Sequence, residues 1–309
     1  MMVAIKYGGS AMTTSDGRNR MLVHIAVIAG LIGVLAASML YPFMPGTYDN
    51  LAITISVMAQ TFGVAGLLLV LIGGLWLAYE WWRQSRRRRN LTLKAGGYAF
   101  ALLAIIASAL VAIVLAIAAA ASGSLVFGLL TLIVWAYVAS RLRPPLKSLR
   151  QTERAYFSVV PIYLTIVPLA ALILQLVIAA PATAFSRNHT IAMSAEIVTD
   201  IENYHAANGR YPTSLLAVYG DYAPSVVGVE RYHYAPTREG YNLAFRQPRF
   251  VLDDFGVAEF VVYNPRDEHY MISHTSWILL LSPAQVNATQ GWFAVRPAAS
   301  PHWRSYLFD

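Results

Sequence analysis

Through the first 185 positions long apolar runs alternate with short polar ones; from Ser186 onward short alternating runs bounded by Gly, Pro and Asn take over. An α-helix rises about 1.5 Å per residue and has about 30 Å of hydrocarbon to cross, so about 20 apolar residues make one span. Five stretches qualify: residues 21–44, 51–79, 97–121, 124–140 and 156–182. The third and fourth come from one charge-free run, Ala95 to Ser140, which Ser122-Gly123-Ser124 divides. The pattern therefore predicts an N-terminal segment, 1–20, a membrane α-helical bundle of five transmembrane helices within 21–185, and a water-soluble α+β domain over 186–309.

Within that last domain Ile191, Ala195, Val198, Ile201 and His205 recur at helical spacing and predict an amphipathic helix continuing the fifth span after a short break. Asn208-Gly209 should end it, because glycine takes the left-handed C-cap conformation cheaply, and Pro212 blocks its resumption. Thr213 or Ser214 is placed to cap a short helix through Leu215, Leu216 and Val218. Strand-like runs follow at 231–235, 241–246, 260–263, 270–274 and 277–281, the first two reading as a hairpin turned at Gly240. One long helix packed on a small antiparallel sheet is the expected outcome.

Charge orients the chain. Residues 1–182 hold 14 basic and 4 acidic side chains, whereas residues 183–309 hold 9 Arg and 12 acidic ones. The basic residues fall in alternate hydrophilic segments: Lys6, Arg18 and Arg20; Arg83, Arg86, Arg87, Arg88, Arg89 and Lys94; Arg141, Arg143, Lys147, Arg150 and Arg154. The intervening segments, 45–50 and 122–124, carry none. Lys and Arg stay on the cytoplasmic side, so the N-terminus is expected inside and the C-terminal domain outside. The cluster Arg86, Arg87, Arg88 and Arg89 abuts a span beside Trp81 and Trp82; it reads as a topology signal touching anionic lipid, with no nucleic-acid partner implied.

The first apolar run begins only at Met21 and is too long for a cleavable signal. Ala182-Thr183-Ala184 has the form of a cleavage site, but the run before it is about twice the usual signal-core length. With no cysteine in 309 residues, disulfides play no part. The expected spans hold no internal Asp, Glu, Lys or Arg, which disfavours an ion- or proton-driven pump. His24, near the start of span one, reads as interfacial, and Gln60 and Gln175 as bonds to neighbouring helices.

Ala104, Ser108, Ala112 and Ala116 recur every four residues, a seam of small side chains along which helices approach closely; Ala29, Gly33 and Ala37 repeat the spacing in span one. Contacts within one chain and between two chains both fit. Pro161 and Pro168 predict kinks in span five. No catalytic residue, cofactor or metal is expected. Asp267, Glu268, His269 and His274 have a ligand-like composition, yet on a strand Glu268 and His274 lie roughly 20 Å apart, too far to share an ion. His205 reads as a core residue, and the aromatic tail of Trp292, Phe293, Trp303, Tyr306 and Phe308 as closure of the sheet's core.

The stretch from Ile201 to Leu215, with Asn208-Gly209-Arg210-Tyr211-Pro212 at its turn, resembles type II secretion pseudopilins and related pilin-like proteins, and the periplasmic domains of bacterial membrane proteins in which this turn precedes a Tyr-rich hairpin. Here that hairpin matches Tyr232-His233-Tyr234 and Gly240-Tyr241-Asn242-Leu243. The resemblance implies a pilin-like fold for the outer domain and a bacterial inner membrane for the anchor. It does not carry over polymerisation, since Arg154 to Val160 lack the Gly and Glu of a prepilin cleavage region. The reading that results is a multi-pass inner-membrane protein whose periplasmic or extracellular domain binds another envelope component. A transport or channel subunit gated by that domain, and an envelope enzyme, are the alternatives.

Overall fold

A computed structural model describes residues 14–87, 97–142, 144, 146, 158–218, 220, 222–236, 239–253, 257–267, 293–298 and 300–308. Its helices are α1 (Thr14–Leu40), α2 (Asn50–Ala65), α3 (Leu67–Arg87), α4 (Gly97–Ala121), α5 (Leu125–Arg141), α6 (Val160–Met193) and α7 (Ala195–Asn208). The strands are β1 (His233–Pro236), β2 (Tyr241–Gln247), β3 (Ala258–Tyr263), β4 (Phe293–Pro297) and β5 (Trp303–Phe308). Short 3-10 turns occupy Tyr41–Phe43 and Leu215–Val218.

Three helices among the described residues are long and apolar enough to cross a membrane: Met21–Phe43, Gly97–Ala121 and Val160–Asn208. A fourth is reached if α2 and α3, bent by 42° where they meet, count together, and α5 is an apolar helix of 17 residues. Side chains such as Met21, Val34, Leu125 and Ile133 face outward with most of their surface exposed, as suits a membrane-embedded protein.

The expected unbroken helix over 51–79 is thus two helices. At the junction a Cβ on Gly66 would lie 2.5 Å from Pro168 Cβ, so only glycine lets α6 come this close. Gly63 and Gly73 repeat the close approach, against the backbone of Ala171 and Leu172 and against Thr165. Of the two prolines expected to kink the fifth span, Pro161 stands in the first turn of α6, where its missing N–H is unneeded. Helix α6 continues through Pro168 and Pro181. It packs against α1, α2 and α3, while α4 packs against α2, α3 and α5.

Helix α3 also runs past the expected loop start, taking Glu80 inside. That carboxylate is buried, accepting from Trp76 Nε1 (3.3 Å) and Arg83 Nη2 (2.6 Å), so the bundle carries one paired acid near its basic end. His24 Nδ1 lies 2.8 Å from the Tyr163 hydroxyl, joining α1 to α6.

All strand pairs are antiparallel, in the order β1-β2-β3-β5-β4. The β1–β2 hairpin and β3 fall within one to two residues of expectation, whereas β4 and β5 occupy a tail read only as aromatic packing. The strands expected at 270–274 and 277–281 lie outside the described residues. One face of the sheet receives Ile191, Ile197 and Ile201 against Leu243, Phe245 and Val261.

Sheet and bundle are locked together. Segment 225–228 pairs with the α1–α2 connection: Gly46 N–H donates to Ser225 O (3.0 Å), Val227 N–H to Met44 O (3.0 Å) and Gly228 N–H to Pro42 O (2.8 Å). Beside this ladder the loop after β2 drives Phe250 into the mouth of the bundle. The ring stacks on Phe43 at 4.7 Å and is buried with Met39, Ala59, Ala171 and Ala182. Next to it Val251 N–H donates to Gln60 Oε1 (2.6 Å), and Gln60 Nε2 donates to Ser56 Oγ (2.8 Å). Replacing Phe250 with Ala should cost about 3–5 kcal/mol, the usual price of emptying a buried phenylalanine site. Thermal unfolding in lipid nanodiscs checks this, and an unchanged midpoint would show that the ring carries no load.

Candidate functional site

The inner face of the sheet changes character along the rod formed by α6 and α7. At the bundle end Gln247, Glu259 and Ser305 stand on neighbouring strands, opposite Ser186 and Arg187 of α6. The middle is apolar, and the far end is a group of tyrosines. Alternation along β3 places Glu259 on the same face as Val261, so the strand itself turns a carboxylate inward.

Glu259 is fully buried. Its Oε1 accepts from Arg187 Nη2 (2.6 Å) and from Ser305 Oγ, and its Oε2 accepts from Arg249 Nη1 (2.8 Å). Arg249 also pairs with Asp253 (3.0 Å). Two guanidinium groups thus face two carboxylates, a neutral set that ties the helix, the sheet and the Phe250 loop at one point.

At the far end Gly209 takes φ +66° and its N–H closes α7 on His205 O (2.8 Å). Asn208 Nδ2 donates to Tyr204 O (2.8 Å), Arg210 is exposed, and Pro212 O accepts the Tyr234 hydroxyl (2.8 Å). Tyr211 stacks on His205 at 4.0 Å, which places that histidine in an aromatic contact. The ring of Tyr241, fully buried, touches Tyr211, Tyr234 and Tyr263 at 5.3–5.8 Å.

Burial pushes the Tyr241 hydroxyl far above the ordinary tyrosine range, and Tyr263 and the Glu202 carboxylate push it further. Burial and then Glu202 raise Tyr211 and Tyr263 as well. Although Glu202 is near, the Tyr241 hydroxyl makes no well-aligned hydrogen bond. The arrangement is a rigid aromatic tip with one half-buried carboxylate at its edge.

The small-residue seam of α4 packs inward. Ala104, Ala112 and Ala116 are buried, and a Cβ on Gly128 of α5 would lie 2.7 Å from Ala116 O. Ser108 Oγ accepts from Trp135 Nε1 of α5 (3.1 Å) and donates to Ile105 O (2.8 Å). The matching stripe of α1 does not pack within the chain: Ala29, Gly33 and Ala37 are exposed. Of the basic cluster, Arg86 is exposed over the Trp82 ring at 4.5 Å, and the Arg87 backbone ends α3. Arg88 and Arg89 lie outside the described residues, as do Glu268, His269 and His274.

Asp267 instead meets His302 Nδ1 (3.2 Å), and no group of three or more His, Asp or Glu able to hold a metal occurs among the described residues. An apolar groove of about 500 Å³, lined by Leu31, Val34, Ile55, Phe62, Leu115 and Phe127 among others, opens from the side of the bundle.

The chain matches no family model, no curated protein and no solved structure. The pilin-like reading therefore rests on the resemblance of Ile201–Leu215 and the Tyr-rich hairpin alone. The joint at Glu259 escaped sequence reasoning, although a lone acid at an inward position of an apolar strand was a signal.

Replacing Glu259 with Gln leaves two guanidinium groups around a neutral amide and should destabilise the chain by about 3–5 kcal/mol, read as a lowered unfolding midpoint. The tyrosines give a pH prediction. A raised pKa means that the folded state holds its protons longer, so stability is complete below the free tyrosine value of about 10 and falls as pH rises beyond it. Alkaline unfolding followed by tyrosinate absorbance should begin above that value, and Tyr241→Phe should move it upward. A variant that unfolds at lower pH than the parent would contradict this.

Proposed function

We propose that the chain is a five-span bacterial inner-membrane protein, with its N-terminus cytoplasmic, that presents a pilin-like outer domain to another envelope component. The count of five takes α2 with α3 as one bent span and α5 as a short one, within the range of about 17–25 residues that spans tolerate. Arg18, Arg20, Arg83, Arg86 and Arg141 belong to the helix ends opposite the sheet, in keeping with the cytoplasmic preference of basic residues.

One observation carries the functional part of the reading. Helices α6 and α7, joined at Ser194, make a 49-residue helical rod over Val160–Asn208, so the stretch beyond Phe185 raises the 208–212 turn roughly 35 Å above the apolar part at about 1.5 Å per residue. Backbone ladder, Phe250 and the Glu259 network hold the sheet to that rod. A rigidly mounted tip suits recognition, because little ordering entropy is lost when a partner binds. Near it Leu216 is 85% exposed, an apolar side chain offered outward.

The gated-transport alternative draws on Gln60 and Gln175, buried polar groups within the bundle, with the outer domain's Val251 bonded to one of them. Flux through reconstituted vesicles is its test.

Single cysteines suit a chain that has none of its own. Arg210→Cys should label from outside intact spheroplasts with a membrane-impermeant thiol reagent, and Arg86→Cys only after lysis; the reverse pattern would overturn the orientation. A photoreactive residue at Leu216 should give a crosslinked adduct in growing cells that the same residue at Trp81 does not give. Identical adducts from both positions would sink the envelope-partner reading.

A further inference from the structure

The joint between α6 and the sheet contains more polar groups than its own hydrogen bonds satisfy. Thr183 Oγ1, Arg187 Nε, Thr190 Oγ1 and Gln247 Oε1 are all buried, and none has a hydrogen-bond partner. Three of them follow one face of α6, at spacings of four and three residues. The fourth is brought to the same face because Gln247 Nε2 donates to Ser186 Oγ (2.6 Å), with Pro248 O 3.2 Å away. The Tyr232 hydroxyl, donating to Thr190 O (2.6 Å), closes the group on the outer side. Phe250 packs on Ala171 and Ala182 at the bundle end.

The chemistry of the four atoms selects what would meet them. Two hydroxyls can donate or accept, a guanidinium N–H only donates and an amide oxygen only accepts. One species must therefore supply both donors and acceptors. Charge narrows it further: Arg187 and Arg249 are already balanced by Glu259 and Asp253, so an ion of either sign would upset a neutral set. Buried polar groups of this kind are ordinarily met by water making two to four bonds each.

We propose that the joint is a hydration site, in which a small cluster of ordered water bridges Thr183, Arg187, Thr190 and Gln247 between the long helix and the sheet. The seat of the outer domain is then wet on its α6 side and dry only where Phe250 plugs the bundle. This inference does not depend on the partner-binding reading.

Two measurements on the full chain in lipid nanodiscs test it. Thr→Val replaces the hydroxyl by a methyl of nearly the same shape. At a hydrated site, Thr183→Val and Thr190→Val each abolish bonds to water, and the unfolding midpoint should fall by roughly 2–6 °C. If the hydroxyls are dry and unpaired, the same substitutions relieve a penalty, and a raised or unchanged midpoint would overturn the proposal. Water-edited solid-state NMR of the unsubstituted protein supplies a second readout. Polarisation should reach the Thr183 and Thr190 methyls nearly as fast as that of exposed Thr213, and transfer as slow as to fully buried Ile201 would equally refute the site.

Discussion

Glu259 lies fully buried between Arg187 of the long helix and Arg249 of the loop that enters the bundle, and the joining of the two halves depends on how that charge is met. A buried carboxylate is tolerated only with opposite charge and hydrogen bonds around it. Two guanidinium groups and the Ser305 hydroxyl provide both. Because the partners come from a helix, a strand and a loop, satisfying one charge fixes three elements together. Arg249 is held on Glu259 and Asp253, and the next residue, Phe250, packs with Met39, Phe43 and Ala59.

The rod of α6 and α7 serves two different surroundings. In its first half glycines on α2 and α3 let neighbouring backbones approach it, with Gly66 against Pro168 and Gly63 against Ala171. In its second half Ile191, Ile197 and Ile201 cover a sheet, an ordinary burial of apolar side chains. Between them lies the polar band of Ser186, Arg187 and Thr190, where neither solution suffices and side-chain bonding takes over. Polar contact thus marks the boundary between two kinds of packing along the rod of α6 and α7.

The tip follows from the same rod. Once Gly209 has turned the chain out of α7, Tyr211 falls back on His205 and meets Tyr241, and the Tyr234 hydroxyl ties β1 to Pro212 O. Four aromatic rings around a turn leave few alternative arrangements, and they are carried on a mount locked at its base. Leu216, near this tip, keeps its side chain exposed.

The division between local and tertiary information is plain in particular residues. Hydrophobic run length located the apolar helices, and the break at Ser122-Gly123-Ser124 separates α4 from α5 as the pattern requires. Gly209 ends α7 because left-handed backbone favours glycine wherever it occurs, and the first hairpin pairs the two strand-like runs on either side of the 237–240 connection. These are properties of a few neighbouring positions.

Other features had no local signature. The close approach of Gly66 to Pro168 joins positions about a hundred residues apart. Strands β4 and β5 were legible only as aromatic residues, since their identity lies in pairing with β3. The docking of Phe250 on Phe43 and the pairing of Arg187 with Glu259 join residues far apart in the chain. Periodicity determined which segments are apolar and where they stop. Only the fold decided which buried charge, bend and polar atom would meet, because their energies depend on partners that sequence distance does not reveal.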